Sequence, residues 1–280
     1  MPLRDDIATL ESSIQERLRG IDNYPGIVDL PDRYRAAILE AVGDAADPLN
    51  VDVRTLVEEV FADELPDIEA QILEDMQRDV ERVIDETQSF YSQIGADMPD
   101  LGEAIAQSRR ITQLSNTFEE NFATMNDDLR ETTIQAMQDQ FATGQINRDA
   151  LSESIQQRGD VFAHHARTNS RLMVSGHNRT ARSEARQSAG LRYGYYYGHI
   201  RATTRMFCRS CMGQVFDADQ IAAMSNGHNL DVELFAGGYN CIHSWVWIDL
   251  DWDEEMKSLY EEQRRLITQM AESVEIQVFE

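Results

Sequence analysis

Gly237-Gly238-Tyr239-Asn240-Cys241-Ile242-His243-Ser244-Trp245-Val246-Trp247-Ile248-Asp249 reads, from left to right, as a turn, a pair of metal-ligand residues and a strand. Two adjacent glycines mark the turn, and the aromatic and β-branched run from Ser244 to Asp249 predicts an extended segment. Cys241 and His243 alternate at the start of that segment, so both side chains can face the same side of it. A second pair, Cys208 and Cys211, forms a C-x-x-C in Arg205-Met-Phe-Cys-Arg-Ser-Cys-Met-Gly213 and ends thirty residues before Cys241. If those two residues sit in a turn, their thiolates can converge on one ion. Cys208, Cys211, Cys241 and His243 would then fill a tetrahedral structural zinc site with no open position, which suits fold stabilisation rather than catalysis. A Cys208–Cys241 disulfide with Cys211 free, or three reduced buried cysteines, are the alternatives. His228, in Ser225-Asn-Gly-His228, is a spare ligand that reads better as part of an exposed loop.

Upstream, Arg192-Tyr-Gly-Tyr-Tyr-Tyr-Gly-His-Ile200 predicts another strand, which makes 191–255 a small α+β domain. Its glycine content leaves a thin core, where a metal would add stability. Residues 1–160 read as helical, because apolar positions recur at spacings of three and four. Short helices are expected at 3–19, 31–43 and 52–62, with breakers at Pro25, Pro31 and Pro48. A long helix is expected from Pro66 to Gly95 and another from Leu101 to Gly144, together a coiled-coil-like hairpin. Helices at 147–157 and 161–189 follow. The segment 256–280 carries a helix reaching Met270 and a short strand over Val274–Phe279. The expected class is α+β: a mainly helical N-terminal region with a long helical hairpin, followed by a small zinc-stabilised domain. The expected division is 1–160, 161–190, 191–255 and 256–280.

Of the 280 residues, 50 are Asp or Glu and 25 Lys or Arg, for a formal charge of −25; Lys257 is the one lysine. So acidic a surface, nearly devoid of lysine, stays hydrated in concentrated salt and suggests a halophilic source. The exception is 161–210, where one acid, Glu184, faces nine arginines. On a helix, Arg167, Arg171, Arg179, Arg182 and Arg186 share a face about 120° wide. That face could bind nucleic-acid phosphates or dock on acidic protein surface, this chain's own N-terminal helices included; screening in high salt favours protein docking. His164, His165 and His177 on the same helix read as solvated or interfacial residues.

No stretch approaches the ~18 apolar residues of a membrane span. Asp5, Asp6 and Glu11 stand where a signal peptide would need a hydrophobic run. Neither H-E-x-x-H, G-x-S-x-G nor a Gly-rich phosphate loop occurs, and the reading is of a protein that is not an enzyme. The enzyme alternative is a metal-dependent nuclease of His-Asn-His type, with His228 or His243 near Asn240.

Thr204-Arg205-Met-Phe-Cys208, Gly213, Asn226-Gly227 and Gly237-Gly-Tyr-Asn-Cys-Ile-His-Ser-Trp245 together resemble the C-terminal hallmark of the phage Mu F-like minor head proteins, the head morphogenesis family. The upstream helix with Arg167-Thr168 and Ala189-Gly190 is similar to the arginine-bearing helix that precedes the family's motif. The resemblance covers roughly 140–250. It departs from the commoner pattern at Ile242, where members often carry Arg, and at Cys211, which is an addition. The resemblance implies a structural protein of a tailed virus, present in few copies in the capsid interior near the portal vertex and supporting head assembly or genome packaging and ejection. It also implies the portal protein as partner, with major capsid protein and packaged DNA as further candidates.

Overall fold

The computed structural model describes residues 3–44, 52–142, 147–238 and 241–277. It is 78% helical, with one small antiparallel sheet. The elements in chain order are α1 (Leu3–Gly20), a 3₁₀ turn (Ile21–Asn23), α2 (Pro25–Val28), α3 (Leu30–Asp44), α4 (Val53–Gln93), α5 (Leu101–Ala106), α6 (Arg109–Ala142) and α7 (Arg148–Ala189). There follow β1 (Tyr193–Tyr197), α8 (Met206–Cys211), β2 (Val215–Asp217), α9 (Ala218–Ala223), α10 (Val232–Phe235), β3 (Ser244–Ile248), a second 3₁₀ turn (Leu250–Trp252) and α11 (Glu254–Gln277).

Two compact units emerge, and each draws on separated segments of the chain. One comprises Met1–Gln15, Glu81–Ile111 and Ser175–Glu280; the other comprises Glu16–Val80 and Thr112–Val174. The division falls within α1, α4, α6 and α7.

The all-helical unit packs on aromatic contacts. The Tyr34 and Phe61 rings meet edge to face at 5.2 Å, joining α3 to α4, and Phe122 and Phe162 do the same at 5.5 Å between α6 and α7. Arg54, at the start of α4, pairs with Glu131 well along α6, as antiparallel neighbours would.

Four helix boundaries differ from expectation. The helix expected from Leu101 to Gly144 is two, α5 and α6, interrupted at Gln107 and Ser108. The chain does not break before Pro66, which lies inside α4. An interior proline costs about 3 kcal/mol, but Phe61, Leu65 and Ile68 are buried around it and hold the helix through that point. The helices expected at 147–157 and 161–189 are one helix, α7, with Gly159 inside it. That glycine permits close approach rather than a break, since a Cβ there would lie 2.8 Å from Pro31 Cα. Gly159→Ala should therefore lower the stability of the full chain by about 1–3 kcal/mol, despite the ~1 kcal/mol of helix propensity that alanine gains. A lowered urea midpoint checks this; an unchanged or raised midpoint contradicts it. Finally, Val274–Gln277 continue α11 instead of forming a strand, while Val278 and Phe279 lie outside the described residues, as do Pro48 and Gly144.

In the other unit the sheet has the order β2-β1-β3, antiparallel throughout. Tyr193 pairs with Ile248, Tyr195 with Val246 and Tyr197 with Ser244. Of the three strands expected from the sequence, the two of this domain are present as β1 and β3, and β2 is an addition. Every residue of β3 is buried, and its Trp247 N–H donates to the buried Tyr91 hydroxyl of α4 at 3.0 Å.

Candidate metal centre

Cys208, Cys241 and His243 come together in the unit that contains the sheet, all three buried, with their ligand atoms within 4.8 Å of one another. α8 carries Cys208, and the segment entering β3 carries the other two. Between these segments lies the glycine pair. A Cβ on Gly237 would run into Cys208 Sγ, and the Gly237 N–H points at Cys241 Sγ at 3.3 Å. Gly238 has φ +103, a left-handed conformation that side chains other than glycine rarely adopt. Arg205 donates from Nη1 to the Gly237 carbonyl at 2.6 Å, tying the segment before Cys208 to this turn. Tyr239 and Asn240 lie outside the described residues.

Two of the interatomic distances are close to those around a tetrahedral ion. Cys208 Sγ and Cys241 Sγ are 3.6 Å apart, and Cys241 Sγ is 3.4 Å from His243 Nδ1. Metal–sulfur bonds of about 2.3 Å and metal–nitrogen bonds of about 2.0–2.1 Å place tetrahedral ligand atoms about 3.5–3.8 Å apart. The cysteines are free thiols rather than a disulfide. His243 Nε2 lies 3.2 Å from the His199 carbonyl, an acceptor that would hold its proton and free Nδ1 to ligate once a metal is bound. Such orientation of the ring by its second nitrogen is the usual support of a ligating histidine.

Electrostatics at the cluster are uneven. The hydrogen bond from Cys208, then that with His243 and the charge of Arg179, draw the Cys241 thiol well below its ordinary range. Cys208 is pushed up by the same hydrogen bond and by burial, so within the pair the proton belongs to Cys208. Burial, and then the negative charge of Cys241, raise the Tyr196 phenol far above its usual value.

Cys211 does not join the cluster. It is buried at the end of α8, where its Sγ lies 4.0 Å from Ser210 Oγ and burial raises its thiol. The C-x-x-C is helical rather than a turn, and three helical residues separate Cys211 from Cys208 by about 4.5 Å along the axis. His228 is also outside the cluster, with its ring against Gly238. His164 and His165 are exposed and their rings meet edge to face at 5.8 Å, whereas His177 is buried.

The five arginines of α7 point inward or pair with the chain's own acids. In the helical unit, Arg171 reaches Asp22 at 2.5 Å and the Leu18 carbonyl at 3.3 Å, and Arg167 lies 3.9 Å from Asp22. In the unit with the sheet, Arg186 pairs with Glu233 at 2.9 Å and lies over the Trp247 ring. Arg182 is buried in an ion pair with Glu11. Arg179, also buried, donates to the carbonyls of Cys241, His243 and Leu234. Gln15 of α1 adds a hydrogen bond to the Ile242 carbonyl at 2.9 Å, so the backbone of the Cys241–His243 segment is held from two helices. Arg179 and Arg182 therefore have no surface to present to DNA phosphates. The helical period placed the five on one face, but it carried no information about what covers that face.

Among the described residues no helix is long and apolar enough to cross a membrane. No protein-family model, curated protein or solved structure gives a match to this chain.

Proposed function

We propose that this chain is a non-enzymatic minor head protein of a tailed virus with a salt-loving host, carrying a C-terminal region stabilised by structural zinc. The observation that carries this reading is the meeting of the two blocks that resemble the head morphogenesis family. Arg205 and Cys208 from one pack onto Gly237, Cys241 and His243 from the other, so the spaced residues form one local structure. Thiolate and imidazole donors favour zinc over magnesium or calcium. A buried cluster suits a structural ion better than a hydrolytic one, which needs an open position and a base beside it. The partner on this reading is the portal protein, with the chain inside the capsid near the portal vertex. Arg167, Arg171 and Arg186 each already face a carboxylate, which argues against DNA retention through the α7 face. Mass spectrometry of purified virions should find the chain in a few copies per particle. Its absence from particles that contain portal protein would overturn the proposal.

A further inference from the structure

Beyond the three clustered ligands, a fourth polar atom sits on the two sulfurs. The Tyr196 hydroxyl is 3.3 Å from Cys208 Sγ and 3.9 Å from Cys241 Sγ. Tyr196 is completely buried in β1, and its ring is fixed on three sides. It stacks on the His243 ring at 5.8 Å with 9° between planes, and meets Trp245 and Phe207 edge to face at 4.5 and 6.0 Å. Metal–oxygen bonds of about 2.0–2.2 Å would place a tetrahedral oxygen about 3.5 Å from each sulfur, between the two distances observed. We propose that the phenolic oxygen of Tyr196, not Cys211, is the fourth ligand of the metal held by Cys208, Cys241 and His243. The inference rests on the metal reading above and deepens it.

Charge supports the assignment. A divalent ion with two thiolates and a neutral imidazole is electrically neutral, and a phenolate oxygen makes the centre an anion. Arg179 is the matching cation: it is buried, it donates to the carbonyls of both Cys241 and His243, and its hydrogen bonds among the described residues go to carbonyls rather than to a carboxylate. A buried guanidinium is costly without a nearby anion. Metal binding breaks the Cys208 S–H and Tyr196 O–H bonds, forms the metal–sulfur and metal–oxygen bonds and sends both protons to the buffer, with no change in oxidation state.

Titrating the metal-free full chain with zinc chloride tests this. The expected result is the ultraviolet difference band of an ionised phenol, growing to saturation at one zinc per chain. Tyr196→Phe should lose the band and bind zinc more weakly by at least the ~10–100-fold that loss of an outer-sphere partner costs, whereas Cys211→Ala should keep both band and affinity. Zinc bound at one per chain without the phenolate band overturns the Tyr196 assignment and leaves the metal reading standing. So does loss of zinc in Cys211→Ala, which would give Cys211 the fourth position. Failure of the wild-type chain to bind zinc overturns both. The wild-type band and the Cys211 variant decide the matter even if Tyr196→Phe does not fold.

Discussion

Arg182→Met should cost the full chain about 3–5 kcal/mol of stability, because removing one partner of a buried ion pair leaves the other charge uncompensated. Both side chains of the Glu11–Arg182 pair are 1% exposed. Ser244 links them: Arg182 Nη1 donates to its hydroxyl at 2.8 Å, and that hydroxyl donates to Glu11 Oε1 at 3.2 Å. The network is incomplete, since Glu11 Oε2 and the Nε and Nη2 of Arg182 have no hydrogen-bond partner among the described residues. Hence the pair specifies how α1, α7 and β3 fit together more than it adds net stability. Glu11→Leu combined with Arg182→Met should accordingly recover most of the loss, since apolar replacements of a buried pair are often neutral or stabilising. Urea unfolding followed by tryptophan emission reads both variants through Trp245 and Trp247 in the sheet. A single variant within ~0.5 kcal/mol of wild type, the range of an ordinary surface change, would contradict this account. So would a double variant less stable than the single one.

Cys241→Ala should have the larger effect. It removes a metal ligand and also the sulfur that receives the Gly237 N–H. Structural zinc contributes an apparent ~10–16 kcal/mol in small zinc-finger peptides at neutral pH. In a unit that also has a buried sheet, part of that energy should appear as stability and the variant should unfold at markedly lower denaturant. Cys211→Ala should lose only the packing of a small buried side chain, on the order of 1 kcal/mol for each methylene-sized group removed. Circular dichroism melts of the two variants, each with and without chelator, separate these effects. The account requires chelator to shift the wild-type and Cys211→Ala midpoints and to leave Cys241→Ala unmoved.

Much of this centre was legible in the sequence. Alternation put Cys241 and His243 on one side of an extended segment, and the aromatic run after them became β3. The glycine pair announced a tight turn, although its close approach to Cys208 Sγ depends on where α8 lies. Nothing in the sequence separates Cys211 from the clustered residues, because C-x-x-C spacing is the same in a turn and in a helix. The position of the Tyr196 hydroxyl beside the two sulfurs has no signal in the spacing of the sequence. The one available hint was alternation in β1, which sets Tyr196 on the opposite face from Tyr193, Tyr195 and Tyr197. β2 is three residues long, too short for a period of two to register. Helical content was plain from the apolar spacing, whereas continuity through Pro66 and Gly159 depends on tertiary contacts that local propensity does not contain.

The most direct test of the central claim, that the Cys208, Cys241 and His243 cluster holds a structural metal, is elemental analysis of the chain purified without added metal, paired with unfolding in the presence and absence of chelator. The account predicts about one zinc per chain, and a lower unfolding midpoint once the zinc is stripped. A metal content near zero, in a chain that unfolds at the same midpoint with and without chelator, would contradict it.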